Sequence, residues 1–149
     1  MPLSPLFLIH AFSVVFMTGL IWLVQWVEYP LFSFLSAETF QSAHQFHSNR
    51  ITWIVGPAML TQLVTSVALV TQAPDAINPV SLWICLGLTV SVFLATALLS
   101  VPAHTILASG FNEAAHQRLV LTNWIRTLCW SAHSGLCFFI LLNTHRTSL

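Results

Sequence analysis

EYPLFSFLSAETFQSAHQFHSNR, residues 28–50, is the longest polar interval in a chain that is otherwise almost continuously apolar. It carries two of the four acidic residues, Glu28 and Glu38, and the closely spaced histidine pair His44 and His47. What lies on either side decides its meaning. The 149 residues are 56% hydrophobic and 5% charged, with no lysine. A soluble domain needs about 25% charged residues to cover its surface, so this composition fits a lipid solvent. Four apolar runs, 6–27, 51–72, 80–103 and 119–142, each reach the ~20 residues that a helix needs to cross hydrocarbon. They show no period-two alternation, and in lipid only helices or closed barrels satisfy the backbone. The expected fold is all-α, a single integral membrane domain built as a four-helix transmembrane bundle.

Working outward, Pro30 disfavours helical geometry at Tyr29, so the first span is expected to end there. Residues 31–35 are then expected to lie along the membrane surface. Ser36 reads as an N-cap with Glu38 in the first turn. From it, an interfacial helical extension can run on into the second span as far as Gly56-Pro57, a pair that usually kinks a helix. Pro102 predicts a second kink just before His104. Gly110 reads as a C-cap and Asn112 as an N-cap. The first run has no preceding Lys or Arg and is not followed by a small-residue cleavage site, so it reads as a span, not a secretory signal. Cys85, Cys129 and Cys137 form no CxxC pair and read as buried small apolar side chains.

Alternating passes bring several chemistry-bearing side chains to one end of the bundle. The first helix ends at Glu28, the second begins near His44 and His47, the third ends at His104, and the fourth begins at His116. Asn123 and Arg126 lie one to three turns deeper. Imidazoles with a carboxylate suit a transition metal, iron first, with zinc or copper as alternatives. His44 and His47 have the i,i+3 spacing of helix-bundle metal ligands. On this reading His44, His47, His104 and His116 are metal candidates. Glu28, Asn123 and Arg126 are catalytic candidates, with Arg126 paired to Glu28 or to an anionic ligand. The plainer reading makes the histidines solvated interfacial residues and His116 a surface side chain. His10 and His133, inside spans, read as core histidines bonded to Ser or Thr, or as axial ligands of a haem.

The predicted function is a metal-dependent oxidoreductase or oxygenase that takes a lipophilic substrate from the membrane. Two alternatives stand beside it. One is a haem-binding or quinone-reactive electron-transfer protein. The other is a non-enzymatic subunit using Gly19, Gly87 and Gly135 as packing surfaces, and a bundle this small often forms homo-oligomers. Nucleic-acid binding is excluded, because the four arginines form no basic patch. The arginine balance puts the histidine-rich end in the cytoplasm.

The strings WLVQWVEYPLF, FHSNRITWIVGPAML, VPAHTILASGF and LVLTNWIRTLCW resemble those of a family of small four-helix bacterial integral membrane proteins. That resemblance implies the four-helix fold and a bacterial plasma-membrane location, and no particular chemistry. A looser likeness to the anthrone-oxygenase-like membrane proteins implies oxidation of a lipophilic aromatic. The opening IHAFSVVFMTGLIWL is similar to that of the bacterial membrane protoporphyrinogen oxidases, which implies a haem role for His10.

Overall fold

The computed structural model describes residues 4–146, and four long helices account for nearly all of them. Helix α1 covers Pro5–Phe34, α2 Ala37–Gln72, α3 Pro79–Leu107 and α4 Glu113–Arg146. All four are long and apolar enough to cross a membrane. Each packs against two neighbours, α1 on α2, α2 on α3, α3 on α4 and α4 on α1, closing a square bundle. Short connections at 35–36, 73–78 and 108–112 force neighbours to run antiparallel. The outward faces are apolar: Phe12, Trp53 and Phe34 are 75%, 81% and 80% exposed. In water such faces would be a defect; in hydrocarbon they are the solvated surface.

The helix starts follow from local chemistry. Ser4 and Ser36 cap α1 and α2 through their side-chain oxygens. Asn78 accepts from Val80 N at the start of α3, and Asn112 from Ala115 N at the start of α4. Gly110, at φ 137°, makes the turn before Asn112 in a region of φ that a side chain would oppose.

One proline behaves differently from expectation. Pro30 does not end α1. The five residues before Tyr29, Val24–Glu28, form a π-helical segment, after which α-helix resumes through Tyr29–Leu31 and a 3₁₀ turn closes Phe32–Phe34. Residues 31–34 are therefore the end of α1, not a separate surface segment. Pro102 in α3 likewise follows a π-helical segment, Thr96–Ser100. Proline removes an N–H and crowds the carbonyl four residues back. A wider turn just upstream relieves that conflict without breaking the helix. Pro57 is carried within the unbroken α2.

Two apolar cores stack along the bundle. One gathers Met17, Val24, Tyr29, Phe32, Phe40, Met59, Leu107 and Trp130. The other, nearer the chain ends, gathers Phe7, Val14, Leu69, Leu82, Cys85, Cys137 and Ile140. Between them runs a buried polar layer that includes Gln62, Thr65, Thr89 and His133. A Cβ added at Gly19, Gly87 or Gly135 would meet nothing within 4 Å, so these glycines do not serve helix packing within the chain.

Candidate functional site

The histidine-rich end encloses a cavity of about 680 Å³, within the ~300–1,000 Å³ typical of small-molecule sites. Its lining combines apolar side chains, among them Met17, Leu20, Ile21, Val24, Val55 and Met59, with polar ones, among them Tyr29, His44, His47, His104, Ser48 and Arg126. The adjacent π-helical segments of α1 and α3 precede Tyr29 and His104, and a π turn offsets the register of the residues that follow it.

Arg126, Tyr29, His104 and His44 form a single hydrogen-bonded chain whose direction can be deduced. Arg126 can only donate, and its NH2 lies 3.0 Å from Tyr29 Oη. The Tyr29 hydroxyl therefore accepts from Arg126 and gives its own proton to His104 Nε2 at 3.1 Å. With Nε2 accepting, a neutral His104 carries its proton on Nδ1 and donates it to His44 Nε2 at 3.0 Å. His44 is then left with an N–H at Nδ1, and that atom is buried without a partner. Arg126 Nε and Ser48 Oγ are also buried and unpartnered. All three residues line the cavity. Leaving a buried donor unsatisfied costs about 1–3 kcal/mol, and more for a charged group.

Arg126 is 7% exposed and touches no carboxylate among the described residues; the one ion pair there joins His47 Nδ1 to Glu28 Oε2 at 3.3 Å. Its other partner is Asn123 Oδ1. Asn123 is itself held by Gln25 Oε1 at 2.8 Å, and Gln25 by the Val120 carbonyl. Aromatic edges fix the imidazoles in place: Phe32 lies edge-on to both His44 and His47, and Phe40 stacks on His44.

The side chains predicted from sequence thus do meet at one end, but in three different roles. His44, His47, His104 and Arg126 line the cavity; Glu28, Asn123 and His116 do not. Glu28 holds His47 instead of pairing with Arg126. Asn123 holds Arg126. His116 is not solvated: it is 7% exposed, and its Nε2 donates to the Tyr29 carbonyl at 2.8 Å. The hub of the network is Tyr29, which the sequence reading did not place among the site residues.

The second cluster lies in the polar layer. His10 Nε2 and His133 Nε2 are 3.0 Å apart, so these core histidines bond to each other. His10 Nδ1 also reaches Thr65 Oγ1 at 2.9 Å, and Gln62 Nε2 reaches His133 Nδ1 at 3.1 Å. Beside them sit Cys85 and Cys137. One ligand atom from each of His10, Cys85, His133 and Cys137 falls within 4.8 Å of the other three, and all four residues are buried. Among the described residues this is the one set of His, Cys, Asp or Glu side chains that converges in this way. It could hold a metal ion. The two cysteines are buried in the apolar core, as expected, and also offer sulfur donors to this set; the tightest metal-competent geometry is thus not at the histidine-rich end. His133 and Cys137 are spaced i,i+4 on one helix face, a signal that was present in the sequence. The contribution of Cys85 and His10 depends on how α3 and α1 pack, which no spacing displays.

Comparison with protein-family models, with curated proteins and with solved structures finds no match for this chain.

Proposed function

We propose that the protein is a membrane-embedded enzyme that binds a lipophilic aromatic molecule by a carbonyl or phenolic oxygen and exchanges a proton with it. The observation that carries this reading is the buried guanidinium of Arg126, which has an unpartnered Nε and no carboxylate in contact. A buried charge is costly unless paired; a ligand oxygen reaching Arg126 Nε, with a second reaching the His44 Nδ1 proton, would satisfy both once the lining gives way to admit them. The apolar lining of the cavity suits a flat hydrophobic body arriving from the bilayer.

The chain Tyr29–His104–His44 supplies the proton path. When His44 gives its Nδ1 proton to the ligand, His104 refills His44 and the Tyr29 hydroxyl refills His104. The resulting phenolate lies against Arg126, which stabilises it. Such positioned proton transfer typically contributes about 10²–10⁴-fold to rate. This is the proton half of an oxidoreductase or oxygenase reaction on a quinone-type substrate.

A second reading, a metal-dependent oxidoreductase, is favoured by the convergence of His10, Cys85, His133 and Cys137. On this alternative a redox metal, iron or copper, would occupy that set and supply the electrons; a redox-inert ion there rules the alternative out. We assign the protein to the bacterial plasma membrane with the cavity end in the cytoplasm, since Arg50 and Arg118 flank that end; a homo-oligomer is in keeping with the outward-facing glycines.

The test is binding of a short-chain benzoquinone to detergent-purified protein by calorimetry. Wild type should bind one molecule per chain, and Arg126→Met should lose binding. A wild-type protein that ignores the quinone and yields only fatty acid on organic extraction would replace the aromatic ligand with a carboxylate one. No binding of either would end the proposal.

A further inference from the structure

We infer that His10, Cys85, His133 and Cys137 form a tetrahedral zinc site buried inside the bundle, which ties α1, α3 and α4 together. The inference is independent of the cavity reading, because it rests on different side chains.

Geometry comes first. Zinc bonds of about 2.0–2.1 Å to nitrogen and 2.3 Å to sulfur place two nitrogens about 3.3 Å apart and two sulfurs about 3.8 Å apart around a tetrahedron. The facing Nε2 atoms of His10 and His133 are already 3.0 Å apart. The whole donor set lies within 4.8 Å, so closing on an ion needs movements of about 1 Å at most. Two sulfurs with two imidazoles is a recognised composition for structural zinc.

Charge then selects among the metals. All four residues are buried, and no carboxylate or guanidinium is hydrogen-bonded to either imidazole. A divalent ion with two thiolates and two neutral imidazoles is electrically neutral. Monovalent copper would leave a net negative charge and trivalent iron a net positive one, each penalised in a medium of low dielectric constant. Divalent zinc also carries no redox state that would upset the balance.

The surroundings suit ligation. Thr65 commits its own proton to the Thr61 carbonyl at 2.7 Å, so its oxygen accepts from His10 Nδ1 and orients that ring with Nε2 free for the metal. Such outer partners are typical of metal-bound histidine. His133 has to change. Trp130 donates to Gln62 Oε1 at 2.9 Å, which turns the Gln62 amide N–H toward His133 Nδ1. His133 therefore accepts there and carries its proton on Nε2. On binding, that proton moves to Nδ1, the amide of Gln62 turns to present its oxygen, and two thiol protons leave to solvent. Without metal every one of these nitrogens has a partner, so the bundle does not need the ion in order to assemble.

Purified protein, kept reduced and stripped with a chelator, is titrated with cobalt as a spectroscopic stand-in for zinc. One cobalt per chain should bind, giving the ligand-field bands of a tetrahedral centre and thiolate-to-cobalt charge transfer. Cys85→Ser should cut the charge-transfer intensity to about half, one thiolate of two. Thr65→Val should weaken affinity by about 10–100-fold, and Cys129→Ser, the cysteine outside the donor set, should leave cobalt binding unchanged. If the cysteine variant fails to fold, the wild-type titration still decides. A stripped protein with unaltered circular dichroism and no cobalt bands overturns the site. So does a Cys85–Cys137 disulfide mapped in protein taken directly from membranes. Protein isolated without added metal should contain zinc; stoichiometric copper or iron in its place overturns the zinc assignment.

Discussion

Trp130 donates its indole proton to Gln62 Oε1 at 2.9 Å, and through that bond the two polar clusters meet. Trp130 lines the cavity, while the Gln62 amide reaches His133 Nδ1 at 3.1 Å. A metal on His133 would compete with the Trp130 indole for the orientation of this one amide. Under the zinc proposal the Gln62 amide would thus couple the four-donor set to the cavity, because each site would favour a different one of its two orientations.

Trp130→Phe removes that competition. The aromatic ring stays in the core, but the buried Gln62 oxygen loses its donor, so metal-free protein should lose about 1–3 kcal/mol of stability. Cobalt affinity should rise, because the amide is free to turn. Denaturant unfolding and cobalt titration of the same preparation give both numbers. Weaker cobalt binding in this variant would show that the amide does not turn.

Tyr29→Phe separates structure from proton supply. The phenol sits between Arg126 and His104, and its removal cuts the chain while leaving the ring against Phe32. Quinone affinity should stay within a few-fold, since Arg126 Nε and His44 Nδ1 are retained. Turnover should fall by about 10²–10⁴-fold. An equal loss in affinity and turnover would make Tyr29 a binding residue instead.

Arg126→Lys is not conservative here. One guanidinium nitrogen, NH2, donates to both Tyr29 and Asn123 while Nε stays buried without a partner; a lysine ammonium can stand in for NH2 but places no donor at Nε, so the guanidinium fork is lost. The Arg126→Lys change should therefore weaken quinone binding nearly as far as Arg126→Met does, at least tenfold. Calorimetry on the two variants side by side checks it. Full binding by the lysine form would mean that charge alone, without the fork, holds the ligand.

Much of this was legible in the chain. Four apolar runs fixed the helix count, and alternating direction gathered Glu28, His44, His47, His104 and Arg126 at one end. Spacing could not tell which of them face the cavity. Glu28 and His116 lie within the same few turns as the lining residues, yet one holds His47 and the other a backbone carbonyl. Pro30 read as a terminator because proline's local cost was visible and the π turn that offsets it was not. Cys85 and Cys137 looked inert because 52 positions separate them in the chain (137 − 85). Their meeting is a product of tertiary register, which a hydropathy pattern does not encode.

The same distinction gives the last prediction. Glu28 bonds to His47 at 3.3 Å with its side chain 37% exposed, and it does not line the cavity. A pair this exposed contributes about 0–1 kcal/mol, so Glu28→Gln should leave both stability and quinone affinity close to wild type. His47 keeps its edge-on contact with Phe32, which holds the ring without the carboxylate. Calorimetric affinity and denaturation midpoint, measured together, check the expectation. A tenfold or greater loss of affinity at unchanged stability would return Glu28 to the reacting centre and require the cavity to extend to it when a ligand binds.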